Sequence, residues 1–322
     1  MRSSSVLLIA FGMGLAGQTA PAIVGSGYAL PSPVYVAPGQ LVTLIAQGLG
    51  AVITQTVQAP ANANLPATLA GVSVSFWQGT TLSAPILEVH PFFPCSAVYI
   101  FQCNELAGVT VQIPFEAQSV LPAGVQVQSG QMTVSVTSDP TALLTEVTVL
   151  PLTDHVHVLT SCDPFMSTIV AAPFPTGLPC PQIVAHADGS TVSATNPAKP
   201  GEELIAYAVG LGQTSPASVT GQIVTQSAPT QATFALDFNY HPNALPSRPL
   251  PTGPQPLFAG TTPGYVGLYQ VNFAVPPVPP GTPPCVDASA LPLGSNVVQS
   301  NLTVSVGGQF SFDGARICVA TQ

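Results

Sequence analysis

The chain has 322 residues, of which 46% are hydrophobic and only 5% charged, with a formal net charge of -9. That length suits two domains, each with a core of its own. Four Lys and Arg residues in all are too few to displace counterions from a phosphate backbone or to dock on an anionic bilayer, so nucleic acid and charged membranes are excluded as partners. The 36 prolines and 28 glycines punctuate short runs rich in Val, Thr, Ser and Gln, which is the pattern of strands and turns, and the expected fold class is all-β.

Residues 1–22 read as a secretory signal: Arg2 supplies the positive start, Val6 to Ala16 an apolar core, and Ala20-Pro21-Ala22 a small-residue cleavage pattern. The apolar run is shorter than the about 20 residues that a bilayer span takes, and no later run is uninterrupted, so no transmembrane segment is expected in a mature, secreted chain. A first β module is expected over 28–150. Its opening strand follows the Pro38-Gly39 turn, with Val42, Leu44 and Ala46 on one face. A second strand alternates through Val72, Val74 and Phe76. It ends at Trp77, which stands before Gln78-Gly79 as a candidate exposed ring for stacking on sugar, with Tyr240, Tyr265 and Tyr269 as further aromatic candidates. Met132 to Val136 is the late strand of this module, and His90 beside Pro91 suggests a loop.

A junction over 151–181 carries Asp154, His155, His157 and Asp163. The spacing of two places both histidines on one strand face, where they are weak candidates for metal ligands. The plainer reading is a solvent-facing polar stripe, with Val156 and Val158 on the other face. A second module is expected over 182–322. Asp188-Gly189 is a hairpin turn, and His186 decorates it. Pro200-Gly201 opens a strand with Leu204, Ala206 and Ala208 on one face, and Gly210-Leu211-Gly212 provides an exit that needs positive φ. Phe234, Leu236 and Phe238 alternate next, and His241 lies in a loop. The Pro-dense stretches 246–256 and 276–284 cannot be central strands. Leu302 to Val306 is the late strand, and Asp313-Gly314 reads as a turn between Phe310-Ser311-Phe312 and Arg316-Ile317-Cys318.

The two modules repeat each other. Pro38 to Gly50 aligns without gaps on Pro200 to Gly212 at an offset of 162, and the offset recurs at Val72/Phe234 and Pro114/Pro276; the late strands match as Met132–Val136 to Leu302–Val306. Six cysteines in an exported chain favour disulfides, and several pairings are open. The sequential set, Cys95–Cys103, Cys162–Cys180 and Cys285–Cys318, would staple a loop, the junction and the chain end.

The run Ala185-His186-Ala187-Asp188-Gly189 through Asn196-Pro197-Ala198-Lys199-Pro200-Gly201-Glu202, continued by Tyr207 to Gly212 and Gly267 to Pro276, resembles an uncharacterised C-terminal β-domain family of secreted acidobacterial proteins. The first copy departs from it, lacking the His-Ala-Asp-Gly opening. Both copies are loosely similar to the IPT/TIG type of immunoglobulin-like domain. The resemblance implies an extracellular β-sandwich and no activity or cofactor. The function expected is a non-enzymatic adhesion, scaffold or interaction protein acting on an unknown protein or glycan surface. A carbohydrate-binding module is the alternative, and a hydrolase with an unrecognised site the third reading. The loops at 240–265 and 277–296 are the first place to look for function.

Overall fold

The structure is a computed structural model that describes residues 22–26, 34–47, 49, 53–91, 106–119, 129–136, 145–161, 163, 181–286 and 299–321. Among them there is no helix, and the strands form four sheets. The first holds β1 (Ala22–Ser26), β3 (Leu41–Gln47), β9 (Leu106–Gln112), β8 (Ile86–Pro91) and β4 (Val57–Gln58), in that order. The second runs β2 (Val34–Val36), β11 (Thr145–Pro151), β10 (Gly130–Val136), β6 (Val72–Trp77) and β5 (Thr68–Leu69), with β7 (Thr81–Ser83) also on β6. The third runs β12 (His157–Val158), β14 (Glu203–Val209), β17 (Tyr269–Ala274) and β16 (Phe258–Thr261), with β13 (Val184–Ala185) on β14. The fourth is β15 (Ala235–Asn239), β18 (Leu302–Gly307) and β19 (Phe312–Ile317).

Alternation explains the layering. Val42, Leu44 and Ala46 of the first sheet face Val74, Phe76, Met132 and Val149 of the second in one buried core. Leu204, Ala206 and Ala208 of the third face Leu236, Val304 and Ile317 of the fourth in another. Strand pairing carries the internal repeat into space. Leu44 opposes Val109, and Ala206 opposes Val271, each pair 162 residues on from the other. The parallel pairing of Val36 with Pro151 returns as a single bridge between Ala198 and Val319. The late strands need a correction. Val74 opposes Val134 while Leu236 opposes Val306, so with Val74 matched to Leu236 the partner of Val306 is Val134 rather than Val136. A slip of two residues keeps the same face toward the core, which is why the pattern alone tolerates it.

The two pairs of sheets are docked. Leu41, Leu159 and Val209 form a separate apolar cluster with Leu87, Ile183, Tyr207 and Leu268, joining the outer faces of the first and third sheets. Around it, the Gly221 N–H donates to Gln112 Oε1 (2.6 Å), the Leu65 N–H to Gly221 O (2.8 Å) and the Phe115 N–H to Thr220 Oγ1 (2.9 Å). Glycine is required at the seam: Gly267 has φ 67°, and a Cβ there would press on Gly39 O and Leu41 at 2.9 Å.

The turn at Asp188-Gly189 is present, with the His186 N–H bonded to Ser190 O (2.9 Å). Asp313-Gly314 is not a turn. Both residues lie inside β19, opposite Val306 and Ser305, and the chain reverses earlier, where the Gly308 N–H bonds to Ser311 O (2.9 Å). The Pro-dense stretch 246–256 is loop, as its prolines demand, and it lies on the outer face of the fourth sheet. There the Ser247 N–H donates to Ser305 Oγ (3.0 Å) and Arg248 Nη2 to Phe310 O (2.8 Å). Every residue of β18 is buried in consequence. The Cys285–Cys318 disulfide is formed, with Cα atoms 5.7 Å apart, whereas Cys95, Cys103, Cys162 and Cys180 lie outside the described residues.

Candidate functional site

Among the described residues, the junction gathers several ionisable side chains, Asp154, His155, His157 and Asp163, against Asp313. Asp154 is fully buried, and its carboxylate accepts the backbone N–H groups of Gln309 (2.8 Å), Phe310 (3.1 Å) and Ser311 (2.8 Å) together with the Ser311 hydroxyl (2.9 Å). Successive amides turned on one carboxylate make an anion nest, here filled by the protein's own side chain. His157 stands between two acids, Nε2 to Asp163 Oδ1 at 2.8 Å and Nδ1 to Asp313 Oδ2 at 3.2 Å. The same acids accept backbone N–H groups, Asp163 from Thr160 (2.6 Å) and Asp313 from Val158 (2.9 Å). Burial pulls the His157 pKa down, but hydrogen bonds and charge from Asp163 and Asp313 outweigh it and raise it to about 9. His155 takes the opposite course: burial and then the charge of His157 lower it to about 4, and its Nδ1 lies 3.2 Å from Gln40 Nε2.

The histidines are therefore not a solvent-facing stripe. Val156 and Val158 enter the core as expected, but the other side of this segment is covered by the 308–311 turn, Asp313 and Gln40. Both His157 nitrogens hold carboxylates, and among the described residues no group of three or more His, Cys, Asp or Glu is arranged to hold a metal. Gly210 (φ 79°) and Gly212 (φ 82°) sit against the same segment, where a Cβ would strike the carbonyls of His155 and Thr153. The Gly-Leu-Gly exit thus serves both positive φ and close backbone approach.

His186 is more than turn decoration. Nδ1 meets Glu202 Oε1 at 2.7 Å and Nε2 meets Asn196 O at 3.2 Å, while Glu202 Oε2 accepts the Lys199 N–H at 2.8 Å. The hydrogen bond to Glu202 raises the His186 pKa, and that of Glu202 is lowered because its bond to His186 and the Lys199 amide overcome burial. These residues, with Asp188 and Ser190, line a shallow cavity of about 330 Å³. Asp188 is occupied within it, accepting the N–H (2.9 Å) and hydroxyl (2.7 Å) of Ser190.

Sequence reasoning missed a third pair. His90 is not in a loop; it lies in β8, buried, with Nδ1 2.9 Å from Glu88 Oε1, and Gly108 opposite it leaves room for the ring. Glu88 belongs to a polar row across the first sheet in which Gln58, Glu88, Thr110 and Thr43 are successive cross-strand neighbours. The Gln58 amide donates to Glu88 (2.6 Å), and the Thr43 and Thr110 hydroxyls are 2.8 Å apart. Only the register brings these residues together, so no local signal marks them.

The aromatic candidates separate by burial. Tyr269 is fully buried and its hydroxyl donates to Gly212 O, while Tyr240 donates to Pro276 O (2.6 Å), with burial pushing its pKa up to about 12. Both are structural. Tyr265 is exposed, and Trp77 is 48% exposed on the outer face of β6. The hairpin turn after Trp77 is braced, since the Gln78 amide and the Gln118 backbone exchange hydrogen bonds of 3.1 and 2.8 Å. No protein-family model matches the chain, and no curated protein matches it either.

Proposed function

We propose that this is a secreted or cell-surface, non-enzymatic protein whose two tandem immunoglobulin-like modules, of the IPT/TIG kind and related by duplication, form a rigid unit for adhesion or scaffolding. The observation that carries this reading is what the clustered ionisable groups do. Asp154 closes the 308–311 turn, His157 ties the junction to β19, and His186 ties the 186–202 loop to itself. Each is bonded into the frame rather than held ready for a substrate. The apolar seam of Leu41, Leu159 and Val209 adds fixed spacing between the modules. The Cys285–Cys318 disulfide supports an oxidising compartment.

The test has two parts. Small-angle scattering on the mature chain is expected to fit one rigid body, and a panel of glycan, ester and peptide substrates is expected to show no turnover. Robust hydrolysis of any of them, abolished by a substitution in the 154–163 or 186–202 clusters, overturns the reading.

A further inference from the structure

The second sheet turns Val34, Val36, Val147, Val149, Val74 and Phe76 to the core, so its other face looks outward. Two large rings stand on that outer face, Tyr35 on β2 and Trp77 on β6, each 48% exposed. Pairing fixes their relation. Tyr35 opposes Leu150, two residues along β11 from Thr148; Thr148 opposes Gln131, and Gln131 opposes Trp77. Three strand spacings and a two-residue stagger put the rings roughly 16 Å apart. Between them lie exposed Gln131 and Thr148, with Thr81 beyond Trp77 on β7. The cross-strand neighbours Ser73 with Ser135 and Ser75 with Thr133 continue this face with neutral hydroxyls.

We propose that this face binds a neutral polysaccharide, with Trp77 and Tyr35 stacking on the apolar faces of two separated sugars and the hydroxyl and amide groups between them bonding the intervening ones. Each part of the face matches that chemistry. Aromatic rings supply broad apolar area with little entropy to lose, and Ser, Thr and Gln both donate and accept, as sugar hydroxyls do. The span demands an oligosaccharide rather than a single sugar. An almost charge-free face gives an anionic or cationic polymer nothing to pair with. Both rings are set in place before binding: the Gln78–Gln118 brace holds the Trp77 hairpin, and the His155 ring stands 6.4 Å from that of Tyr35 at 49°. Strand twist of roughly 20–25° per step turns the platform along its length. It therefore suits a single polysaccharide chain that rotates about its own axis rather than a flat crystalline surface.

This inference rests on the non-enzymatic, extracellular reading. Affinity electrophoresis of the mature chain through gels containing neutral glucan, mannan or xylan tests it. Retardation by at least one is expected, weakened about thirty-fold by Trp77→Ala and about tenfold by Tyr35→Ala, with Trp77→Phe recovering most of the loss. Thr148→Arg, at an exposed position between the two rings, is expected to abolish retardation should Trp77→Ala not fold. Retardation by none of the three, retardation by anionic polysaccharides alone, or retardation indifferent to all these variants overturns the proposal. Absence of retardation without turnover removes the platform and leaves the scaffold reading standing, whereas hydrolysis of the gel polysaccharide removes that reading too.

Discussion

The second and fourth sheets are counterparts in the repeat, yet one presents its outer face and the other hides it. In the second sheet the central strand β10 alternates between buried and exposed or half-buried residues, while every residue of β18 in the fourth is buried. The difference is a loop. Between β15 and β16 the chain runs through 244–257 across the outer face of β18, where Thr303 donates to Ala244 O (2.8 Å) and Gly307 and Gly314 lie beneath Pro249 and Pro246. Small residues on the strand admit the proline stretch, and prolines, having no N–H to satisfy, lie over a sheet at little cost. A duplicated frame thus keeps one face open and closes the other, and the proposed sugar platform uses the open sheet of the first unit.

The closed sheet depends on its turn at 308–311, and the largest effect is expected there. Asp154→Ala leaves the amides of Gln309, Phe310 and Ser311 without their acceptor and is expected to cost about 5 kcal/mol in chemical denaturation, whereas Asp154→Asn retains an acceptor and costs less. Next comes the disulfide: Cys285→Ser with Cys318→Ser opens a link across 33 residues and is expected to lower stability by about 4 kcal/mol, read from the same unfolding curve with and without reductant.

The pH dependence is smaller and has two limbs. His157 holds its proton more tightly when folded, about 9 against 6.5, so its contribution, on the order of 3 kcal/mol, is complete below pH 6.5 and is lost as pH rises through 9. His155 is neutral in the fold, about 4 against 6.5, so its contribution is complete above pH 6.5 and is lost as pH falls toward 4. Stability measured against pH is expected to peak near 6.5, with His157→Gln flattening the alkaline limb and His155→Gln the acid limb. The smallest effect is expected where the loop meets β18. A Cβ at Gly307 would meet Pro249 at 2.6 Å, so Gly307→Val is expected to lift the loop, cost about 1–2 kcal/mol and raise hydrogen exchange in β18 while leaving β10 unchanged.

Much of the frame was legible because alternation and the offset of 162 are local signals: the opposed strands, the positive-φ glycines at 210 and 212 and the proline loops could all be read along the chain. Asp313-Gly314 misled because Asp-Gly is a strong turn signal, yet Asp313 has its partners in the folded protein, His157 and the Val158 amide. The roles of Asp154, His90 and Tyr35 were not legible at all. Asp154 acts on amides some 155 residues away, His90 meets Glu88 two residues earlier only because β8 continues to Pro91 where a loop was expected, and Tyr35 gains meaning only from a register that places it on the same face as Trp77.

Trp77 is the single tryptophan of the chain, so its fluorescence tests the open face without labels. Its emission is expected to be that of a water-exposed indole, strongly quenched by acrylamide, shifting to the blue and becoming protected as a neutral polysaccharide is titrated in. Emission from a buried indole, or an exposed one that no neutral polysaccharide protects, would contradict that expectation.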